Sequence, residues 1–235
     1  MNSRHCMRFV AITSAVGLSL LFGPTANADL ILNGSFEAPS PLDPCTPALQ
    51  CSGSFRNFNA GDSFEGWSVV GAGQMSLGST DFIQLGFSFP AQDGQQWADL
   101  SGFGGNDPVG VQQDVTTAVG EFYDLSFWIG NVVDTTFDLY GVSSAIEVFI
   151  NGATLGTFSN TGGDTTTNWQ QFSVSFQADS TTSSITFFNR DSATDNMNGL
   201  DNVVLTSRAV PEPGTLALFA AGLLGFGLTR RQRAV

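Results

Sequence analysis

Between residues 29 and 207 the apolar positions alternate with polar ones and almost nowhere recur at helical spacing. Tyr123, Leu125, Phe127 and Ile129 fall on one side of an extended chain, and Asp124, Ser126 and Trp128 on the other. Ile146, Val148 and Ile150 repeat the pattern and run into Asn151-Gly152, after which residues 153 to 158 read as a strand again. Both central residues tolerate positive φ, so this is a hairpin with a two-residue turn. Phe172, Val174 and Phe176 make another apolar face, and residues 185 to 188 and 200 to 205 complete the later strands. Earlier strands are fainter, at 30–32, 67–70, 82–85, 97–100 and 109–115. The gaps are too short for crossover helices, so the sheets must be mostly antiparallel. The spacing predicts an all-β fold, a two-sheet antiparallel jelly-roll sandwich. Residues 38 to 66 read as the longest irregular region.

The charge is one-sided. All eight basic residues are arginine, and only Arg56 and Arg190 fall within residues 29–207. Twenty of the 21 acids lie there, which leaves that segment at −18. Phosphate backbones and anionic lipid would be repelled, so nucleic acid is not an expected partner. Divalent cations are the natural counterions. Cys45 and Cys51 are the two cysteines of this segment, and in an exported chain they are expected to form a disulfide across a short Pro-containing loop.

Both ends of the chain read as processing signals rather than fold. Arg4, His5 and Arg8 precede an apolar stretch from residue 9 to 22, followed by Ala26-Asn27-Ala28. This is a secretory signal peptide over residues 1–28, to be removed by signal peptidase. At the other end, residues 208–235 hold Val210-Pro211-Glu212-Pro213-Gly214, an uncharged run over 215–228, and Arg230, Arg231 and Arg233 in the basic end 229–235. Fourteen helical residues span about 21 Å, short for a bilayer core of roughly 30 Å. The isolating prolines and the arginine stop nonetheless favour a C-terminal transmembrane helix with the preceding domain outside the cytoplasm.

In this order, motif, apolar helix and Arg-Arg resemble the PEP-CTERM sorting signal. The resemblance implies an exported cell-surface or extracellular protein, anchored at first by its C-terminal helix. It also implies recognition and removal of the tail by an exosortase. The residues that carry it are Val210, Pro211, Glu212, Pro213, Arg230 and Arg231.

The domain between these ends resembles a second family. It opens on Asn33-Gly34-Ser35-Phe36-Glu37. It passes Gly66-Trp67, Gly110-Val111-Gln112-Gln113 and Asn168-Trp169, and closes on Gly199-Leu200-Asp201-Asn202-Val203. This series is similar to carbohydrate-binding modules with a galactose-binding-like jelly roll. The resemblance implies a structural calcium where the first and last strands meet. Glu37 and Asp201 would be its carboxylates, with backbone carbonyls near Asn33.

Sugar binding needs aromatic platforms beside polar groups. Trp128 points opposite the Tyr123–Ile129 face, Phe149 opposite the Ile146–Ile150 face, and Trp97 stands beside Gln95, Gln96 and Asp99. These three are the candidate ligand residues. Trp67 and Trp169 are expected in the core, and residues 195 to 199 as a plain loop. Catalysis is not expected. The single histidine, His5, leaves with the signal peptide, so no histidine-based triad or metal site remains. Twenty scattered acids single out no carboxylate pair, and no catalytic residue is assigned. The expected function is non-catalytic binding of extracellular polysaccharide, such as a biofilm exopolysaccharide. The alternatives are a structural or adhesive surface protein and, further off, a glycan hydrolase.

Overall fold

The computed structural model describes residues 28–102, 107–137, 139–192 and 195–208. The segments expected to form the signal peptide and the sorting tail lie outside the described residues. Within them no helix is long and apolar enough to cross a membrane.

The fold is all-β. A seven-stranded sheet runs in the order Asp43–Pro44, Ser54–Asn59, Gln74–Ser79, Gln96–Asp99, Gly199–Ser207, Phe122–Asn131, Asn168–Gln177. A six-stranded sheet runs Ala153–Asn160, Ser144–Ile150, Thr182–Asn189, Val109–Thr116, Trp67–Gly71, Ser63–Phe64. Neighbouring strands pair antiparallel throughout, for example Phe127 opposite Phe172 and Val111 opposite Phe187. The inward positions are those the alternation predicts: Leu125, Phe127 and Ile129 face Ile146, Val148, Ile185 and Phe187, and all are fully buried. Phe127 meets Phe187 edge to face at 5.1 Å, which ties one sheet to the other. Asn151-Gly152 makes the hairpin turn, with Asn151 at φ 52°.

The structure departs from the sequence reading in three places. A small third sheet, Cys51–Ser52, Ile83–Gln84 and Phe87–Ser88, stands beside the two large ones. The region expected to be irregular contains the strand Ser54–Asn59, paired with Gln74–Ser79, which was also unread. Only Phe58 of the former reaches the main core, so its pattern is nearly silent. Residues 30–32 form no regular strand. Leu30 donates to Leu205 O and the Gln113 amide brackets Leu32 through both backbone groups. The chain then turns at Asn33 (φ 56°), where a Cβ on Gly34 would sit 2.0 Å from Val203 O. Cys45 and Cys51 are bonded, as expected.

Candidate functional site

The strand Gln96–Asp99 sends Ala98, then Leu100 just beyond it, into the core, so Trp97 and Asp99 point to the outer face of the seven-stranded sheet. That outer face is not bare. The hairpin Ile83–Ser88 and the segments around it fold back over it, bringing Phe82, Phe87 and Phe89 into a second apolar cluster with Trp97, Tyr140 and Met197. Phe89 stacks on Trp97 with centroids 6.0 Å apart, and Trp169 meets Trp97 edge to face at 6.2 Å. Close approach of Trp169 to the sheet requires glycine at two neighbours. A Cβ at Gly130 or Gly199 would lie 2.8 or 3.0 Å from its ring.

Between this cluster and the sheet lies a cavity of about 250 Å³. Among the described residues its walls are Phe82, Phe89, Leu139, Tyr140 and Met197, over a floor of Trp97 and Asp99. A side niche of about 30 Å³, bounded by Phe55, Ser76 and Gly78, shares Phe82, Trp97 and Asp99 with it. The roof is latched. Tyr140 donates its hydroxyl hydrogen to Gln84 Oε1 at 2.7 Å, and Gln84 Nε2 donates to Leu49 O at 3.1 Å, inside the disulfide loop. The wall segment bearing Leu139 and Tyr140 is wound around Asp134, whose carboxylate accepts the N–H groups of Thr136, Phe137 and Leu139. Burial pushes Asp134 up, but these N–H groups outweigh it and hold the acid below its ordinary range. Burial and the nearby Asp99 and Asp134 carboxylates push the Tyr140 phenol up, so it stays a donor.

Asp99 is the chemical centre of the cavity. Its Oδ1 accepts the Ser101 N–H, the Ser101 hydroxyl and the Asn198 N–H at 3.0, 2.6 and 3.2 Å. Burial raises its pKa to about 6 against the pull of these donors. An acid at that value exchanges a proton near neutral pH. Behind it, burial first and then the Asp195 and Asp99 charges push Asp191 up to about 9. The Asp191 carboxylate accepts the Ala145 N–H, while its Oδ2 is buried without a partner.

The predicted ligand residues do not converge. Trp97 is in the cavity floor. Trp128 is half-buried on the outer face of the same sheet, opposite Gln171 and Asp201. Phe149 lies on the outer face of the other sheet, 6.5 Å from Phe188, with the Arg190 guanidinium over both rings. Of the residues expected to hold calcium, Glu37 and Asp201 grip one turn. Glu37 Oε1 accepts the N–H groups of Gln95 and Gln96, and Asp201 Oδ2 those of Gln92 and Asp93. Burial raises Asp201 to about 7, and the Asp93 charge adds to it. Asn33 O is committed elsewhere, to Phe36 N and Trp67 Nε1. Trp67 is in the main core, while Trp169 packs on the second cluster. Residues 195–198 are a loop, as expected, and its Asn196 and Met197 line the cavity.

A family profile described as HpiC1 cyclase matches residues 28–206, the whole domain. The chain belongs to the HpiC1-like family. A second profile, the PEP-CTERM protein-sorting motif, matches residues 209–231 and implies export and processing by an exosortase. No curated protein matches the chain. Among solved structures, a cyclase from Fischerella sp. TAU in complex with 4-(1H-indol-3-yl)butan-2-one is similar over 78% of this chain and 99% of its own. Its TM-score is 0.51 and its identity 16%. An isomalto-dextranase from Arthrobacter globiformis T6, complexed with panose, matches 64% of the chain at TM-score 0.41 and 16% identity. The chain spans only 23% of that enzyme's length. A family 35 carbohydrate-binding module from Clostridium thermocellum matches 66% of this chain and 99% of its own, at TM-score 0.38 and 15% identity.

Proposed function

We propose that the exported domain of this HpiC1-like protein takes a compact, largely apolar ring compound into the cavity and protonates it from Asp99. The carrying observation is a largely buried carboxyl, raised by desolvation to a pKa of about 6, in the floor of an aromatic-walled cavity. An isomerisation begun by protonation needs an acid still protonated near neutral pH. It also needs a site that keeps water out and π-faces that stabilise a cation. Asp99 supplies the acid, and the rings of Phe82, Phe89, Trp97 and Tyr140 supply the π-faces. The proton leaves Asp99 for a ring carbon, and loss of a proton from the product cation returns it, so no other reagent is required.

Indole is the probe, because the cyclase from Fischerella sp. TAU was solved with an indole-bearing ligand. In D2O, exchange at the indole C3 position reports proton donation directly by NMR. The wild-type domain is expected to accelerate this exchange at pH 5.5 and to lose the effect as pH rises past about 7. Asp99→Asn is expected to bind indole without accelerating exchange. Equal exchange in the variant and the wild type overturns the assignment of Asp99, and no indole binding overturns the cavity as the site.

Non-catalytic polysaccharide binding is the second function, favoured by the partly exposed Phe149–Phe188 pair. Phe188 lies over Gly71 and Gly110, where a Cβ would come within 2.9 Å of its ring. Polysaccharide binding lost in Phe149→Ala, with indole exchange absent, selects it. Calcium is proposed at Glu37 and Asp201. The support is that Glu37 and Asp201, from opposite ends of the domain, close on the one turn Gln92–Gln96.

A further inference from the structure

We infer that the indole N–H of Trp97 is the anchor for one hydrogen-bond acceptor on the ligand, seated in the niche beside Gly78. The inference deepens the proposed function and rests on the cavity being the ligand site. Trp97 is 3% exposed, and its Nε1 is buried with no hydrogen-bond partner. A buried donor left unpaired is costly, and a ligand acceptor placed against it would relieve that cost. Among the described residues, the other side-chain donors around the cavity are already engaged. Tyr140 donates to Gln84, Gln84 to Leu49 O, and Asn196 to Leu139 O.

Geometry places the acceptor. Gly78 lies directly opposite Trp97 across the strand pair, and a Cβ there would stand 3.1 Å from Trp97 Nε1. It would stand equally close to Cε2 and Cζ2, at 3.0 and 3.1 Å, so glycine at 78 keeps open the space against this edge of the indole, next to the N–H. The niche there, about 30 Å³, has room for about one oxygen or one water. The same niche is bounded by Asp99, so an acceptor bound to Trp97 holds the ring body next to the acid. The ligand class follows: a ring compound with one carbonyl-like acceptor at its edge, not a polyhydroxylated sugar. A sugar ring would bring many donors and acceptors into walls that are mostly aromatic and aliphatic.

Two probes of the same shape test this, indane and 1-indanone, which differ by the carbonyl oxygen. Binding to the whole exported domain is measured by titration calorimetry. Wild type is expected to prefer 1-indanone by about tenfold. Trp97→Phe, which keeps an aromatic ring and removes the N–H, is expected to erase the preference, so that the two probes bind it equally. Gly78→Ala, which keeps the tryptophan and fills the niche, is expected to erase it as well. Equal binding of the two probes to wild type overturns the anchor and leaves the cavity standing. A preference that survives in both variants also overturns the anchor. Failure of either probe to bind wild type overturns the anchor together with the cavity.

Discussion

Asp99 shows how one residue acquires chemistry from its position alone. Its side chain has the same ordinary acidity as the other aspartates of the domain, and burial lifts it from 3.8 to about 6. In the unfolded chain it ionises near the lower value, in the native state near the higher. Between them the folded protein holds the additional proton, so this group's contribution to stability falls as pH rises through that interval and levels off above it. The rise corresponds to about 3 kcal/mol. Asp99→Asn removes the ionisation but also weakens what Ser101 and Asn198 donate to. The variant should therefore be no more stable than wild type at pH 4.5 and more stable by at most about 2 kcal/mol at pH 8. Urea unfolding at the two values checks this, and a stability difference that does not change with pH sinks it. In the main core the cost has the opposite sign at every pH. Phe127 fills the gap between the sheets, and Phe127→Ala should cost about 3–5 kcal/mol.

At the scale of elements, the hairpin Ile83–Ser88 is held from outside rather than by strand pairing. It forms only short ladders, and Gln84 ties it to Tyr140 on one side and to the disulfide loop on the other. The loop between Cys45 and Cys51 is small, so its closure is worth only about 2 kcal/mol overall. Its larger effect is local. With both cysteines changed to serine, amide exchange in the hairpin should rise well beyond the change in the strand Phe122–Asn131. A uniform rise along the chain would show that the loop does not clamp the roof. The same contrast explains what was readable in advance. Phe122–Asn131 announces itself because inward apolar and outward polar residues alternate over ten positions. Gln74–Ser79 is buried nearly throughout, with the second cluster covering its outer side, so its period is blurred. Trp97 and Asp99 stood out as an aromatic beside an acid, yet nothing local says that Asp99 is buried. The walls could not be read at all. Phe82, Phe89, Tyr140 and Met197 come from separate loops that meet only through tertiary packing, and no sequence period encodes that meeting.

Across the whole molecule, the large negative charge and the buried acids act in the same direction. Asp99, Asp201 and Asp191 are raised to about 6, 7 and 9, in each case chiefly by burial. Each binds its proton more tightly in the native state than in the unfolded chain, so each removes stability as pH climbs from about 4 toward its native value. The repulsion among the remaining carboxylates grows over the same range. Melting temperature should therefore be highest near pH 5 and decline steadily to pH 9. This profile also supplies the sharpest test of calcium. A cation bound by Asp201 and Glu37 takes the place of the Asp201 proton, so its stabilisation should be small at pH 5 and large at pH 8. At a hundredfold excess over its dissociation constant it would contribute about 2.7 kcal/mol. Scans of the exported domain in calcium chloride and in sodium chloride of equal ionic strength separate binding from screening. A rise specific to calcium at pH 8, lost in Asp201→Asn, places the ion at Asp201 and Glu37. The same curve in both salts removes calcium and leaves Glu37 and Asp201 as acceptors for the Gln92–Gln96 turn. In that case the domain must be strongest under the mildly acidic conditions in which Asp99 also keeps its proton, so one pH range would serve both the fold and the cavity.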